Sequence, residues 1–242
     1  MSLEEELEQL EECRAQGDQP GAANCLFRIG CIQAKKGESQ EALSAFQEAY
    51  DICKVKGNDK SRLEVLRRVV GVLLELDRLE EAEAGLETGL SLADKLGYLP
   101  GRVDFLDLAA QLASKAGRPA EAVSRLEEAA AICQEHHDAV GELLLLEKLG
   151  PALRADSQYD QALEVYRRLA DLAGQAGDLT RQALALVGVG QISQLLGRPN
   201  EVLTPLEAAE KLYLKGGFKM WADMVRAEID RLANESLGLR GS

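Results

Sequence analysis

GESQEALSAF, residues 37–46, is rewritten four more times along the chain, as DRLEEAEAGL from Asp77, GRPAEAVSRL from Gly117, SQYDQALEVY from Ser157 and GRPNEVLTPL from Gly197. The interval is 40 residues each time, and a fixed period between about 20 and 50 residues is the signature of stacked repeats. Within and beyond this stretch Ala42, Leu43, Phe46, Ala49, Tyr50 and Cys53 fall at the i, i+3, i+4, i+7 spacing of an amphipathic helix. Leu26, Ile29, Gly30 and Ala34 repeat that pattern upstream, and strand-like alternation is absent. Each unit therefore reads as two amphipathic helices joined by a turn.

Punctuation supports the division. The inner turn carries Gly37, Asp77, Gly117, Ser157 and Gly197, and second helices end at Gly57, Gly97, His137 and Gly177, with Gly17 and Gly217 in phase. Glycine is the usual left-handed residue just past a helix C-terminus; His137 in that phase reads as a cap, since histidine tolerates the region better than most. Pro119 and Pro199 suit the first turn of a helix, and Asp77 with Glu80 reads as a capping box. Pro151 and Pro205 fall inside helices, where each removes a donor and predicts a kink.

Three small positions recur in phase: Gly30, Val70, Ala110, Gly150 and Gly190 on the first helix, then Ala42, Ala82, Ala122, Ala162 and Val202, and Ala49, Gly89, Ala129, Leu169 and Ala209, on the second. Larger side chains recur between them, at Leu26, Leu66, Leu106, Leu146 and Leu186 and at Phe46, Leu86, Leu126, Tyr166 and Leu206. Such hairpins cannot bury their apolar faces alone, so each needs its neighbour. Residues 3–16 match a second helix only. Residues 218–236 read as a terminal helix that buries Phe218, Trp221, Ala222, Val225, Ile229 and Leu232 and turns a polar side outward.

The spacing Leu26-x2-Ile29-Gly30, then Ala42-x3-Phe46-x2-Ala49, resembles the tetratricopeptide repeat. The resemblance covers residues 3–236, with a 40-residue period in place of the usual 34, like the long repeats of kinesin light chains, polarity scaffolds and some bacterial regulators. It implies an all-α fold: a right-handed superhelical α-solenoid of antiparallel helix pairs, about 12 helices in one domain. The expected units are residues 22–59, 60–99, 100–139, 140–179 and 180–217, flanked by the N-terminal half-repeat and the capping helix.

The same resemblance implies that first helices line a concave groove holding a peptide or helix of a partner protein. Mapped onto this chain, the candidate partner-binding residues are Phe27, Lys35, Arg67, Leu74, Asp104, Asp107, Gln111, Glu147, Arg154, Val187 and Gln191. Cys31, Glu64, Glu75, Lys115, Leu144, Leu184, Gln194 and Leu195 fall beside them. The Lys/Asn clamp that some relatives use for acidic tails is missing, because Phe27 and Cys31 stand at its first two positions; the asparagine ladder of other long-repeat members is missing too. Charge alternates along the surface and one end is apolar, which suits an amphipathic helix or an extended peptide.

The formal net charge of −13 opposes a phosphate backbone and an anionic membrane surface alike. No apolar run approaches the roughly 20 residues that span a bilayer, and MSLEEELEQL lacks the features of a signal peptide. The expectation is a soluble cytoplasmic protein. Five cysteines without a CxxC pair argue against zinc and a disulfide framework; Cys13, Cys53 and Cys133 share a phase with Ala93 and Ala173 and read as packing.

The only histidines, His136 and His137, are adjacent, so they point about 100° apart on a helix, and no nucleophile–base arrangement is recognisable. Gly188 and Gly190 form a GxG inside a helix, without a preceding strand. The reading is a non-enzymatic scaffold or adaptor with no catalytic residue, cofactor or metal. Its alternatives are the ligand- or peptide-sensing module of a bacterial regulator, and a module that self-assembles through its terminal helices, where Tyr213, Phe218 and Trp221 lie.

Overall fold

The computed structural model describes residues 2–236, and among them the chain is helical throughout. The chain divides into two compact units, Met1–Arg118 and Pro119–Ser242. The first holds α1 (Leu3–Gln16), α2 (Gln19–Lys35), α3 (Ser39–Lys56), α4 (Asp59–Glu75), α5 (Leu79–Leu96) and α6 (Leu99–Lys115). The second holds α7 (Pro119–Glu135), α8 (Ala139–Ala155), α9 (Tyr159–Ala176), α10 (Leu179–Leu195), a 3-10 turn (Pro199–Glu201), α11 (Leu203–Lys215) and α12 (Lys219–Ser236). Within each unit successive helices are joined by tight turns and pack as antiparallel pairs, the arrangement of a tetratricopeptide-like α-solenoid.

The turns follow from backbone stereochemistry. Helices end on a left-handed residue, and among the described positions only Asp77, His137 and Ser157 take positive φ without being glycine, at 55°, 56° and 62°. Asp77 therefore closes α4 and does not open α5 with Glu80, as the sequence suggested; Arg78 precedes α5 and makes no side-chain cap. Asp77 instead accepts a bond of 2.6 Å from Lys115 Nζ on α6. The capping box lies at the start of the chain, where Ser2 and Glu5 bond each other's backbone N–H. First helices open on a recurrent Asx cap: Asp18, Asn58, Asp138 and Asp178 each accept from an N–H three residues on, at 2.9–3.2 Å. At the equivalent place Tyr98 makes no such bond.

The small positions work by admitting rings. A Cβ added at Gly30 would stand 2.7 Å from the Phe46 ring, one at Gly89 only 2.1 Å from Phe105, and Tyr166 sits between Gly150 and Gly188, which leave no room for a methyl group. Where the first helix carries Val70, the facing second helix answers with Gly85, whose Cβ would meet Val70 at 2.7 Å. Volume is conserved across each contact, as close-packed interiors require. In the first unit the core runs continuously from Leu10 to Leu112; in the second, Ala183, Leu206, Tyr213, Ala222, Val225 and Ile229 seal the C-terminal end.

Two proline positions resolve differently. α8 continues through Pro151. Pro205 does not interrupt a helix: the chain breaks into the 3-10 turn before it, and α11 begins at Leu203, so Pro205 falls in the first turn. Its ring would clash with the carbonyl four residues back, and a first-turn N–H has no intrahelical partner to lose. The terminal helix buries Ala222, Val225 and Ile229 as expected, but Phe218 and Trp221 are exposed and Met220 and Met224 project outward, so its free side is not uniformly polar.

Three carboxylates are buried with an arginine. Glu6, 1% exposed, takes Arg28 Nε on both oxygens at 2.7 Å; Glu142 pairs with Arg168 at 3.1 Å and Glu210 with Arg226 at 2.8 Å. Glu6 stands in the phase of Phe46, Leu86 and Leu206. Breaking such a pair strands a desolvated charge, whereas an apolar replacement does not. Arg28→Ala is expected to lower unfolding free energy by about 2 kcal/mol, because Arg28 is itself partly solvated, while Glu6→Leu holds or raises it; denaturant titration of both variants checks the order. Pro151→Ala, which restores an N–H facing the Glu147 carbonyl, is expected to raise the melting temperature by a few degrees.

Candidate functional site

Once the cores are filled, the outward positions of the first helices remain, and the two units fill them with different chemistry. In the first unit α4 and α6 enclose a recess of about 200 Å3 lined by Lys60, Leu63, Glu64, Arg67, Tyr98 and Asp104. Arg67 is held by Glu64, with Nη2 and Nε at 2.6 and 3.2 Å from its two oxygens, and reaches Asp104 at 3.5 Å. Arg68 lies 3.5 Å from Glu64 and places its guanidinium 5.9 Å from the centre of the Phe27 ring. Phe27 in turn leans on Phe46, with ring centres 5.8 Å apart. Thus Phe27, Arg67 and Asp104 belong to one linked surface, with Glu64 as the joint.

The electrostatics follow from partial burial. Desolvation raises the Asp104 carboxyl above the ordinary aspartate range, and the nearby Arg67 charge pulls it partly back. Arg67 is raised as well, chiefly by its hydrogen bonds to Glu64, which hold it protonated. Farther along the same unit Gln111 donates to Asp107 at 3.2 Å, and Lys35 is exposed at the end of α2. Leu74 is not on this surface. It is 3% exposed and belongs to the core, because α4 is flanked by α3, α5 and α6 and buries Val72, Leu73 and Leu74 in succession.

In the second unit Glu147 on α8 accepts from Arg181 on α10 at 3.3 Å, and Arg154 reaches Gln191 at 3.4 Å. Val187 and Gln191 then lead into an open trough of about 390 Å3 between α10 and α12. Its walls are Leu184, Val187, Trp221 and Met224, its base Leu206 and Tyr213, and its polar edge Gln191, Gln194 and Glu228. Leu184, Trp221 and Met224 are 43%, 47% and 59% exposed. Trp221 stacks on Tyr213 with ring centres 6.3 Å apart and planes 27° from parallel. Single exposed apolar residues are ordinary, but a contiguous concave set is what binding sites present.

Val187 and Gln191, both on the groove expected from the sequence, line one trough, and three further residues at these surfaces are absent from that expectation. The sequence reading puts Trp221 on the capping helix and gives Met224 no role, although Met224 lies 40 residues beyond Leu184 and so shares its phase. Tyr98 was passed over as a turn residue. It has displaced the capping Asx, and its ring lies against Gly101, where a Cβ would come within 2.6 Å, walling the first recess. Among the described residues no group of three or more His, Cys, Asp or Glu side chains could hold a metal ion. No helix among them is long and apolar enough to cross a membrane.

The tetratricopeptide-repeat family profiles match residues 23–55 and 145–180, and a profile for anaphase-promoting complex subunit 5 matches residues 103–149. With the fold, these matches support a tetratricopeptide-repeat protein. No curated protein matches the sequence. Among solved structures it is similar to BtubC (BKLC) of P. vanneervenii, with a TM-score of 0.77 and 13% identity over 89% of this chain and 91% of that one. Kinesin-light-chain-like repeats of Podospora anserina align at a TM-score of 0.69 with 18% identity, covering 80% and 95%. A Rap protein complexed with the competence and sporulation factor aligns at 0.62 with 15% identity, covering 96% and 74%. At these identities the likeness is one of fold.

Removing Arg67 leaves Glu64 and Asp104 with only the weaker influence of Arg68. A carboxyl that is raised on folding binds its proton more tightly folded than unfolded, so the charged state at neutral pH carries the penalty. Arg67→Ala is therefore expected to cost more stability at pH 7 than below the Asp104 titration, and to raise that titration further; denaturant melts across pH and carboxyl NMR of the variant check both.

Proposed function

We propose that this protein is a non-catalytic interaction module that holds a segment of a partner protein against its first-helix surfaces. The observation that carries the reading is the trough of the second unit, where Leu184, Val187, Trp221 and Met224 stay exposed around a cavity large enough for one or two apolar side chains. Their burial by a partner recovers about 25 cal/mol per Å2 of apolar surface. An aromatic ring and flexible thioethers are the groups that recur as anchors and adaptable contacts at interfaces. Gln191, Gln194 and Glu228 offer donors and acceptors at the edge to fix a segment's direction. In the first unit, the Phe27, Arg67 and Asp104 surface, with Asp107, Gln111 and Lys35 beyond it, is read as a separate charged contact; in the second, Glu147 and Arg154 are read as polar contacts beside the trough.

A second reading, peptide sensing, is favoured by the fold likeness to the Rap protein complexed with the competence and sporulation factor. It differs in requiring that the bound segment alter the arrangement of the helices, which small-angle scattering reads directly.

Selection of peptides from a random library on the immobilised protein tests the main reading. Selected peptides are expected to shift Trp221 fluorescence to the blue and to lose at least about tenfold in affinity for a Leu184→Asp, Met224→Asp variant of unchanged helicity. Equal affinity for that variant would refute the reading.

A further inference from the structure

On the side away from the first-helix surfaces, the first unit has a cleft of about 470 Å3 between the second-type helices α1 and α3. Its floor is apolar, built from Leu7, Leu10, Leu26 and Ile29, and Leu7 is 45% exposed although it points into the cleft. Its walls are acidic. Besides Glu6, which is spent on Arg28 in the core, α1 carries five glutamates against one arginine, and Glu4 and Glu11 flank Leu7 one turn to either side on the same face. α3 contributes Glu41 and Glu48. The one cation lining the cleft, Arg14, is engaged by Glu48 across its mouth. The carboxamide oxygen of Gln33, which also lines the cleft, is buried and accepts no hydrogen bond.

We infer that this cleft is a docking site, distinct from the trough, for a cationic amphipathic segment of a partner protein. Charge complementarity selects the occupant. An anionic or neutral helix laid between α1 and α3 would face uncompensated carboxylates on both walls, whereas lysine or arginine flanking an apolar anchor pairs with Glu4, Glu11 and Glu41 while the anchor covers Leu7. A partner cation can also take over Glu48 from Arg14, an exchange between exposed ion pairs that costs little. The acidic walls raise the rate of encounter more than they deepen the final affinity, so the association is expected to be steeply salt-dependent.

The test uses a fluorescein-labelled amphipathic Leu/Lys peptide of about four helical turns and the full chain. Fluorescence anisotropy is expected to report binding that a Leu7→Gln, Glu41→Gln, Glu48→Gln variant weakens at least about tenfold. Glu87→Gln, Glu207→Gln, which removes the same charge from exposed second-helix positions elsewhere, should weaken it less than about twofold. Hydrogen exchange on the unmodified chain should slow in α1 and α3 when peptide is added, a readout independent of how the variants fold. Equal losses in the two variants would reduce the effect to net charge and overturn the proposal. So would protection confined to α10 and α12, or no binding at low salt.

Discussion

Every feature of this molecule depends on two helices coming close enough for a ring on one to rest on a bare backbone of the other. Gly30 under Phe46, Gly89 under Phe105, and Gly150 and Gly188 around Tyr166 are contacts in which a single methyl group has no room. They set the distance between helices, and the distance sets which side chains face inward. Because a hairpin leaves one apolar face open, the contact has to be repeated for the next hairpin to close it. The exchange of Val70 for glycine with Gly85 opposite shows that what repeats is the sum of two volumes, not an amino acid at one position.

The candidate surfaces are what this packing leaves over. First helices have one stripe committed to the core and one turned outward, and nothing in the core dictates the second. In the first unit the outward stripe carries Glu64, Arg67, Arg68 and Asp104, already paired among themselves, so a ligand there must exchange ion pairs in partly desolvated surroundings. In the second unit the same stripe carries Leu184, Val187 and Met224, whose contact with water is itself unfavourable. On the proposed reading, the first arrangement would favour discrimination among partners and the second would supply affinity.

Where local reading went astray, long-range contact was the cause. Asp77 and Glu80 match a capping box by spacing, yet the left-handed site closing α4 lay one step away and Asp77 filled it, with Lys115 of α6 to receive its charge. Leu74 has the phase of a surface residue, but α4 is covered on several sides and draws it in. Pro205 sat in a predicted helix interior, and the chain moved the helix start to accommodate it. Glu6 occupies a phase that is apolar in the later units, and it is the contact with Arg28, which meets both its oxygens, that lets a carboxylate stand there.

Period, helix type, turn positions and the order of small and large residues could all be read from the chain alone, because each is a local demand: a spacing of 3.6, a left-handed residue, a volume. The candidate contacts Phe27, Arg67, Asp104, Val187 and Gln191 were likewise visible as positions in a phase. What tertiary structure decided was company. Only packing brought Trp221 and Met224 across from α12 to wall a trough with Leu184, set Tyr98 over Gly101, and opened a cleft between α1 and α3 above Leu7. Those juxtapositions join residues that no local rule relates, since a cavity is a property of the gap between elements and is written in none of them.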